Sequence, residues 1–255
     1  MISKLKIKGG ITMPFQGKEN GFQYPSDIDI EFTKGLNVIV GPNGCGKTTA
    51  ITIMKTFMLV DMDGTCSSDR CHEISKFFHR SWYYSYKSDF EVYSDYTNKA
   101  FYMPNVLEIF RGAMNGGNTL TLAKAKSRHS QGESTDIVVH NLLDFVSKQK
   151  GHFDFQNVYG QWLNYQKHPY IEEHRIPDEG ITTVLIDEPD SHLDIFKVKS
   201  LADVLTEDRP GMQLIVVVHN PLLICELAKS GKANFIEMEE DYVDKVRNAV
   251  REMAE

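Results

Sequence analysis

The chain opens with apolar residues set among polar ones at Ile2, Leu5 and Ile7, and repeats the pattern at Ile28, Ile30 and Phe32. Such alternation predicts half-buried strands, here separated by a glycine-rich stretch at 9–21. Thr33-Lys34-Gly35 reads as a turn. Leu36 to Val40 then reads as a short buried strand, followed by a glycine-rich loop and a helix from about Lys47 to Val60, half of an α/β unit. The middle differs in texture, because residues 77–102 hold eleven of the 27 aromatic residues. Asp89 to Asp95 alternates like a strand, and Lys99 to Met103 is expected to pair with it as an antiparallel hairpin. The alternative reading is an aromatic stacking surface for single-stranded nucleic acid, although interleaved basic residues are few. Residues 105–114 and 134–149 read as helices, the second with apolar positions 138, 142, 145 and 146. Residues 151–178 read as an insertion. The α/β pattern returns with a buried strand at Thr183 to Ile186, a helix from Leu193 to Leu205, strands at Leu214 to Val218 and Asn234 to Met238, and a charged helix from about Asp241. No repeat, low-complexity tract or linker interrupts it.

A length of 255 residues suits one large domain or a domain with an insertion. With 41% apolar and 25% charged residues, the chain can bury a core, and collagen-like, coiled-coil and disordered classes are excluded. The longest aliphatic run, Leu214 to Val218, falls far short of the ~20 residues that span a bilayer. The N-terminal segment lacks the apolar stretch of a secretion signal, and neither end carries a lipidation signal. A soluble, cytoplasmic protein with no membrane partner is expected.

The net charge of −7 conceals a gradient: residues 1–60 sum to +3 and residues 171–255 to −10. Any nucleic-acid contact therefore needs a local basic face. Two candidates are Lys4, Lys6 and Lys8 on the first strand, and Lys124, Lys126, Arg128 and His129 further on. A solvated charged edge explains them equally. Cysteines 45, 66, 71 and 225 make no disulfide framework. Cys66, Cys71, His72 and His79 lack the paired spacing of common zinc sites and read as unconnected side chains.

Chemistry concentrates at four places. Gly41-Pro42-Asn43-Gly44-Cys45-Gly46-Lys47-Thr48, followed by Thr49, fits G-x-x-x-x-G-K-[ST] between a strand and a helix. In such a loop successive backbone N–H groups cradle phosphates, the lysine reaches the β- and γ-phosphates, and the hydroxyl of Thr48 meets Mg²⁺. Thr183 to Pro189 delivers Asp187 at a strand's carboxyl end, where it can hold Mg²⁺, and Glu188 beside it, where it can polarise a water. His129-Ser130-Gln131-Gly132-Glu133 lies before a predicted helix start, a phosphate-ready position that equally suits an ordinary cap. His219 ends the apolar strand 214–218.

In this order these segments resemble the ABC ATPases. GPNGCGKT looks like their Walker A loop, HSQGE like the signature, VLIDEP like the Walker B strand, Ser191-His192-Leu193-Asp194 like the D-loop, and His219 like the switch histidine. The opening KLKIKGG…DIDIEFTKGLNVIVGPNGCGKTT resembles the non-transporter group of SMC, RecF and RecN proteins, as a compact head without a coiled coil. The resemblance implies an α/β P-loop NTPase of ABC type: a mainly parallel core sheet, an antiparallel β subdomain and an aromatic-rich helical insertion. A nucleotide-binding lobe is expected at about 1–60 and 180–255, with a helical signature lobe at about 61–179. It implies ATP and Mg²⁺ as ligands, Thr48 and Asp187 on the metal, and Lys47, Glu188 and His219 as the catalytic set. It also implies a homodimer that closes on two ATP molecules, with Ser130, Gly132 and Glu133 of each copy completing the other's site. DNA and a nuclease or toxin effector are the candidate partners, in a repair, phage or defence setting. The alternatives are a transporter's nucleotide-binding subunit and a poorly hydrolysing scaffold. One departure stands out: no glutamine occurs from residue 24 to 130, where the family carries one that senses Mg²⁺ and water. A polar group in the 85–95 region is the expected substitute. Phe15, Phe22 and Tyr24 are candidates for the adenine contact, each equally suited to a core.

Overall fold

The computed structural model describes residues 1–10, 12–13, 22–59, 90–94, 100–103, 139, 143, 181–191 and 193–254. In chain order these form β1 (Ile2–Ile7), β2 (Thr12–Met13), β3 (Phe22–Gln23), β4 (Ile28–Glu31), β5 (Gly35–Val40), α1 (Lys47–Leu59), β6 (Phe90–Ser94) and β7 (Ala100–Met103). Then follow β8 (Thr182–Asp187), α2 (Ile195–Thr206), β9 (Met212–Val217), α3 (Pro221–Ser230), β10 (Asn234–Glu237) and α4 (Tyr242–Glu252).

Five strands make an all-parallel sheet in the order β10-β5-β9-β8-β7. Its central strands carry unbroken buried runs, because both faces are covered. On one face Leu36, Val38, Val184, Ile186, Leu214 and Val216 pack under α2 and α3. On the other, Ile39, Leu185, Ile215 and Val217 meet α1 and an antiparallel sheet of order β4-β1-β6. The mainly parallel core and the antiparallel subdomain match the expected α/β class.

The central aromatic stretch is organised differently from expectation. β6 and β7 do not form a hairpin: β6 pairs antiparallel with β1, and β7 pairs parallel with β8 as an edge of the core sheet. Alternation reveals a half-buried strand but not its partner. Within the span expected to be the second helix of the middle, Val139 and Leu143 are helical and fully buried in the core. They stand one residue beyond the expected positions 138 and 142, which lie outside the described residues, as do 105–114 and 151–178.

One side chain ties the two sheets together. Gln213 is fully buried, its Oε1 accepting from Ile2 N–H at 3.0 Å and from Thr183 Oγ1 at 2.8 Å. Its Nε2 donates to the carbonyls of Ile2 at 2.8 Å and Thr33 at 2.9 Å. Two acceptor and two donor positions are thereby filled, the condition under which an interior amide is tolerated.

Candidate functional site

β5 ends where the glycine loop begins, and the loop turns through φ of 154° at Gly41, 83° at Gly44 and 97° at Gly46, conformations open to glycine. At Gly41 a Cβ would also stand 2.9 Å from Cys45 Sγ and 3.0 Å from Met238 Cβ. Lys47 begins α1 and is 3% exposed, its Nζ donating to the carbonyls of Gly41 at 2.7 Å and Pro42 at 2.8 Å. The ammonium thus already sits inside the ring of the loop. Tyr24 supports the loop: it is buried, and its hydroxyl donates to the Gly46 carbonyl at 2.7 Å. Burial pushes that phenol well above its ordinary pKa. Of the three aromatic candidates for an adenine contact, Tyr24 is therefore a core residue; Phe15 lies outside the described residues.

β8 stands two places from β5, across β9, and brings the acids to the loop. Thr48 Oγ1 donates to Asp187 Oδ1 at 3.4 Å, and Asp187 is 4% exposed. Glu188 follows in left-handed backbone, φ 48°, with its N–H on the Val217 carbonyl at 3.2 Å. A carboxylate held at positive φ is costly and marks a site whose surroundings impose it. His219 closes the arrangement. Its Nε2 lies 2.9 Å from Glu188 Oε1, and its Nδ1 lies 2.9 Å from Asn43 Oδ1 in the glycine loop. The ring therefore spans from the phosphate loop to the acid. Nε2 meets the carboxylate at ion-pair distance without hydrogen-bond geometry, and the role of Nδ1 towards Asn43 follows the ring's tautomer.

Asp194 caps α2, accepting from the N–H groups of Phe196 and Lys197. Beyond the cap, Ile195 and Phe196 are 62% and 86% exposed. Asp190, which the motifs did not single out, is buried, and its Oδ2 accepts from the backbone N–H groups of His219 and Asn220. The signal in the sequence was the third acid of Asp187-Glu188-Pro189-Asp190, in a turn where two already had roles. Ser130, Gly132 and Glu133 lie outside the described residues, as do His192, the segment 124–129 and the Cys66, Cys71, His72 and His79 group. In the 85–95 region, Glu91 and Tyr93 are exposed and hydrogen-bonded to each other. The first-strand lysines are matched by neighbours. Lys4 pairs with Asp29 at 2.8 Å and Glu31 at 3.3 Å, and Lys6 lies 5.6 Å from the centre of the Tyr93 ring. No helix among the described residues is long and apolar enough to cross a membrane.

A parallel sheet with a glycine loop at the head of α1, an aspartate across it and an antiparallel sheet on one face defines a P-loop NTPase of ABC type. A family model described as an AAA domain (AAA_23) matches residues 19–171, more than half of the chain, and the chain belongs to that family. No curated protein matches it. Among solved structures, an SMC head domain from Thermotoga maritima is 15% identical, with 88% of this chain and 91% of that one covered and a TM-score of 0.36. A dimeric bacterial ABC transporter cassette is 14% identical, with 92% and 94% covered and a TM-score of 0.39. A nucleotide-free ATP-binding cassette from an ABC transporter gives 14%, 93%, 88% and 0.36 in the same order. Similarity at this level carries no residue roles across.

Proposed function

We propose that the chain binds ATP with Mg²⁺ and hydrolyses it, and that two copies close on two ATP molecules as a switch acting on DNA or on an effector protein. The observation that carries this reading is the span of His219 from Asn43 to Glu188, beside the Thr48–Asp187 contact. The loop's N–H groups and Lys47 hold the β- and γ-phosphates, together with Pro42, Cys45 and Thr49 in the same turn. Lys47 exchanges two carbonyl acceptors for phosphate oxygens, a stronger, charge-assisted bond. Thr48 and Asp187 are the side chains placed to hold Mg²⁺, which in such sites takes one or two protein groups and substrate phosphates. The donor set fits that habit: among the described residues no three His, Cys, Asp or Glu side chains make a metal cage. When bound, the ion neutralises charge on the phosphate oxygens. Glu188 accepts a proton from the attacking water, and His219 holds Glu188 and Asn43 in register.

Closure of two copies brings Ser130, Gly132 and Glu133 of each to the other's nucleotide. Ile195 and Phe196, exposed immediately after the 191–194 segment, support an interface there. The paired lysines of β1 weigh towards a charged edge on that strand, which leaves 124–129 as the basic segment on which a DNA role rests. Absence of the expected glutamine supports slow turnover, the scaffold alternative.

The test is steady-state ATP turnover with and without DNA, for the wild type and Glu188→Gln. Glu188→Gln is expected to retain ATP, lose at least ten-fold in turnover and elute as an ATP-dependent dimer. Equal turnover in the two proteins refutes the catalytic assignment, and monomers throughout refute the switch.

A further inference from the structure

Asp190 has no role in the nucleotide reading, and its surroundings give it one. It is 4% exposed, and its Oδ2 accepts from the N–H of His219 at 2.7 Å and from that of Asn220. Consecutive amides 29 and 30 residues along the chain thus converge on one oxygen. Among the described residues Oδ1 has no hydrogen-bond partner. Burial raises the carboxyl's pKa, and the backbone N–H groups of Asn220, His219 and Asp190 itself offset part of that rise. A buried carboxylate not fully paired among the described residues is a poor choice for stability alone.

Its geometric effect is specific. Asp190 lies in the turn that carries Glu188, closed by the Ser191 N–H on the Glu188 carbonyl at 3.2 Å. One turn therefore bears the acid and, through Asp190, clamps the backbone from which the histidine ring extends. Only two side-chain torsions separate that backbone from the ring, so clamping it fixes where the ring can reach. We propose that Asp190 is a positioning residue that sets His219 between Asn43 and Glu188. Its consequence for turnover rests on the ATP-hydrolysis reading; its effect on the ring does not.

The experiment compares Asp190→Ala with Asp190→Asn, whose amide oxygen can accept from both N–H groups. Asp190→Ala is expected to lower kcat, counted per nucleotide-binding site, ten-fold or more while KM for ATP stays within about two-fold. Asp190→Asn recovers most of that loss. The imidazole ¹⁵N signals of His219, read without nucleotide, move in Asp190→Ala and return towards wild type in Asp190→Asn. A merely structural residue would lower melting temperature in the alanine variant and leave kcat per site and the ring signals in place. Unmoved ring signals in Asp190→Ala overturn the proposal, as does a kcat in Asp190→Ala equal to that of a wild type that turns ATP over. If the wild type shows no turnover, the hydrolysis reading fails, and the ring signals alone decide for or against Asp190. Should Asp190→Ala not fold, Asp190→Ser, too short to reach both amides, replaces it under the same criteria.

Discussion

Lys47 shows how a residue can satisfy itself and still serve a ligand. Its two carbonyl bonds keep a buried ammonium paired, so removing the side chain leaves the carbonyls of Gly41 and Pro42 short of a donor while removing the cation aimed at phosphate. Lys47→Ala is expected to weaken ATP binding at least a hundred-fold, measured by calorimetry, while the circular dichroism spectrum stays native. Asp190 gives a prediction of a different kind. Its folded-state pKa is raised, chiefly by burial, so between the ordinary carboxylate value and the raised one the folded chain keeps a proton that the unfolded chain releases. Stability from this group falls as pH rises through that window, and the penalty persists above it. The melting temperature of Asp190→Asn relative to wild type should therefore climb from acid towards neutral pH and then level off; a flat difference contradicts this. Lys47, Thr48, Asp187, Glu188 and His219 could be read from the sequence because each occupies a fixed place in a local pattern. The contacts of Asp190 could not, because its partners lie 29 and 30 residues away.

At the scale of elements, α3 is the helix that the hydrophobic pattern did not reveal. Its signals were present at its ends. Asn220 caps it, accepting from Leu222 and Leu223 N–H, Pro221 occupies the first turn, and Gly231 ends it at φ 65°. The segment is short and follows an apolar strand directly, so period and caps had to be read together. Asn220→Ala is expected to cost about 1 kcal/mol, visible in chemical denaturation, and to leave the backbone N–H that Asp190 holds. β6 and β7 teach the converse lesson. Each was visible as a strand, but only residues far away in sequence, Ile2–Ile7 for one and Thr182–Asp187 for the other, determine which sheet each joins.

For the whole molecule, Gln213 is the tie between layers. It stands beside the apolar run of β9, where a sequence reading begins the strand one residue later, at Leu214. Gln213→Leu would fill similar space but take this partner from the Ile2 N–H, the Ile2 carbonyl and the Thr183 hydroxyl, while the Thr33 carbonyl keeps the Asn37 amide. With each such group costing about 1–3 kcal/mol before relaxation, a net loss of about 2–4 kcal/mol is expected. Hydrogen exchange should accelerate in β1 ahead of β5; a uniform change across both sheets contradicts the tie. The parallel order β10-β5-β9-β8-β7 has a further meaning in time. β5, which leads into the glycine loop at residue 41, is flanked by strands formed from residues 212–217 and 234–237. When synthesis has passed residue 200 but not 212, the loop is therefore made without either strand that holds it. Until then β5 carries two open edges, the condition in which strands find wrong partners. Pairing across about 180 residues or more is slow to nucleate. The loop's setting is therefore expected to be completed only once residues 212–237 are made, so that nucleotide binding follows the assembly of the sheet rather than guiding it.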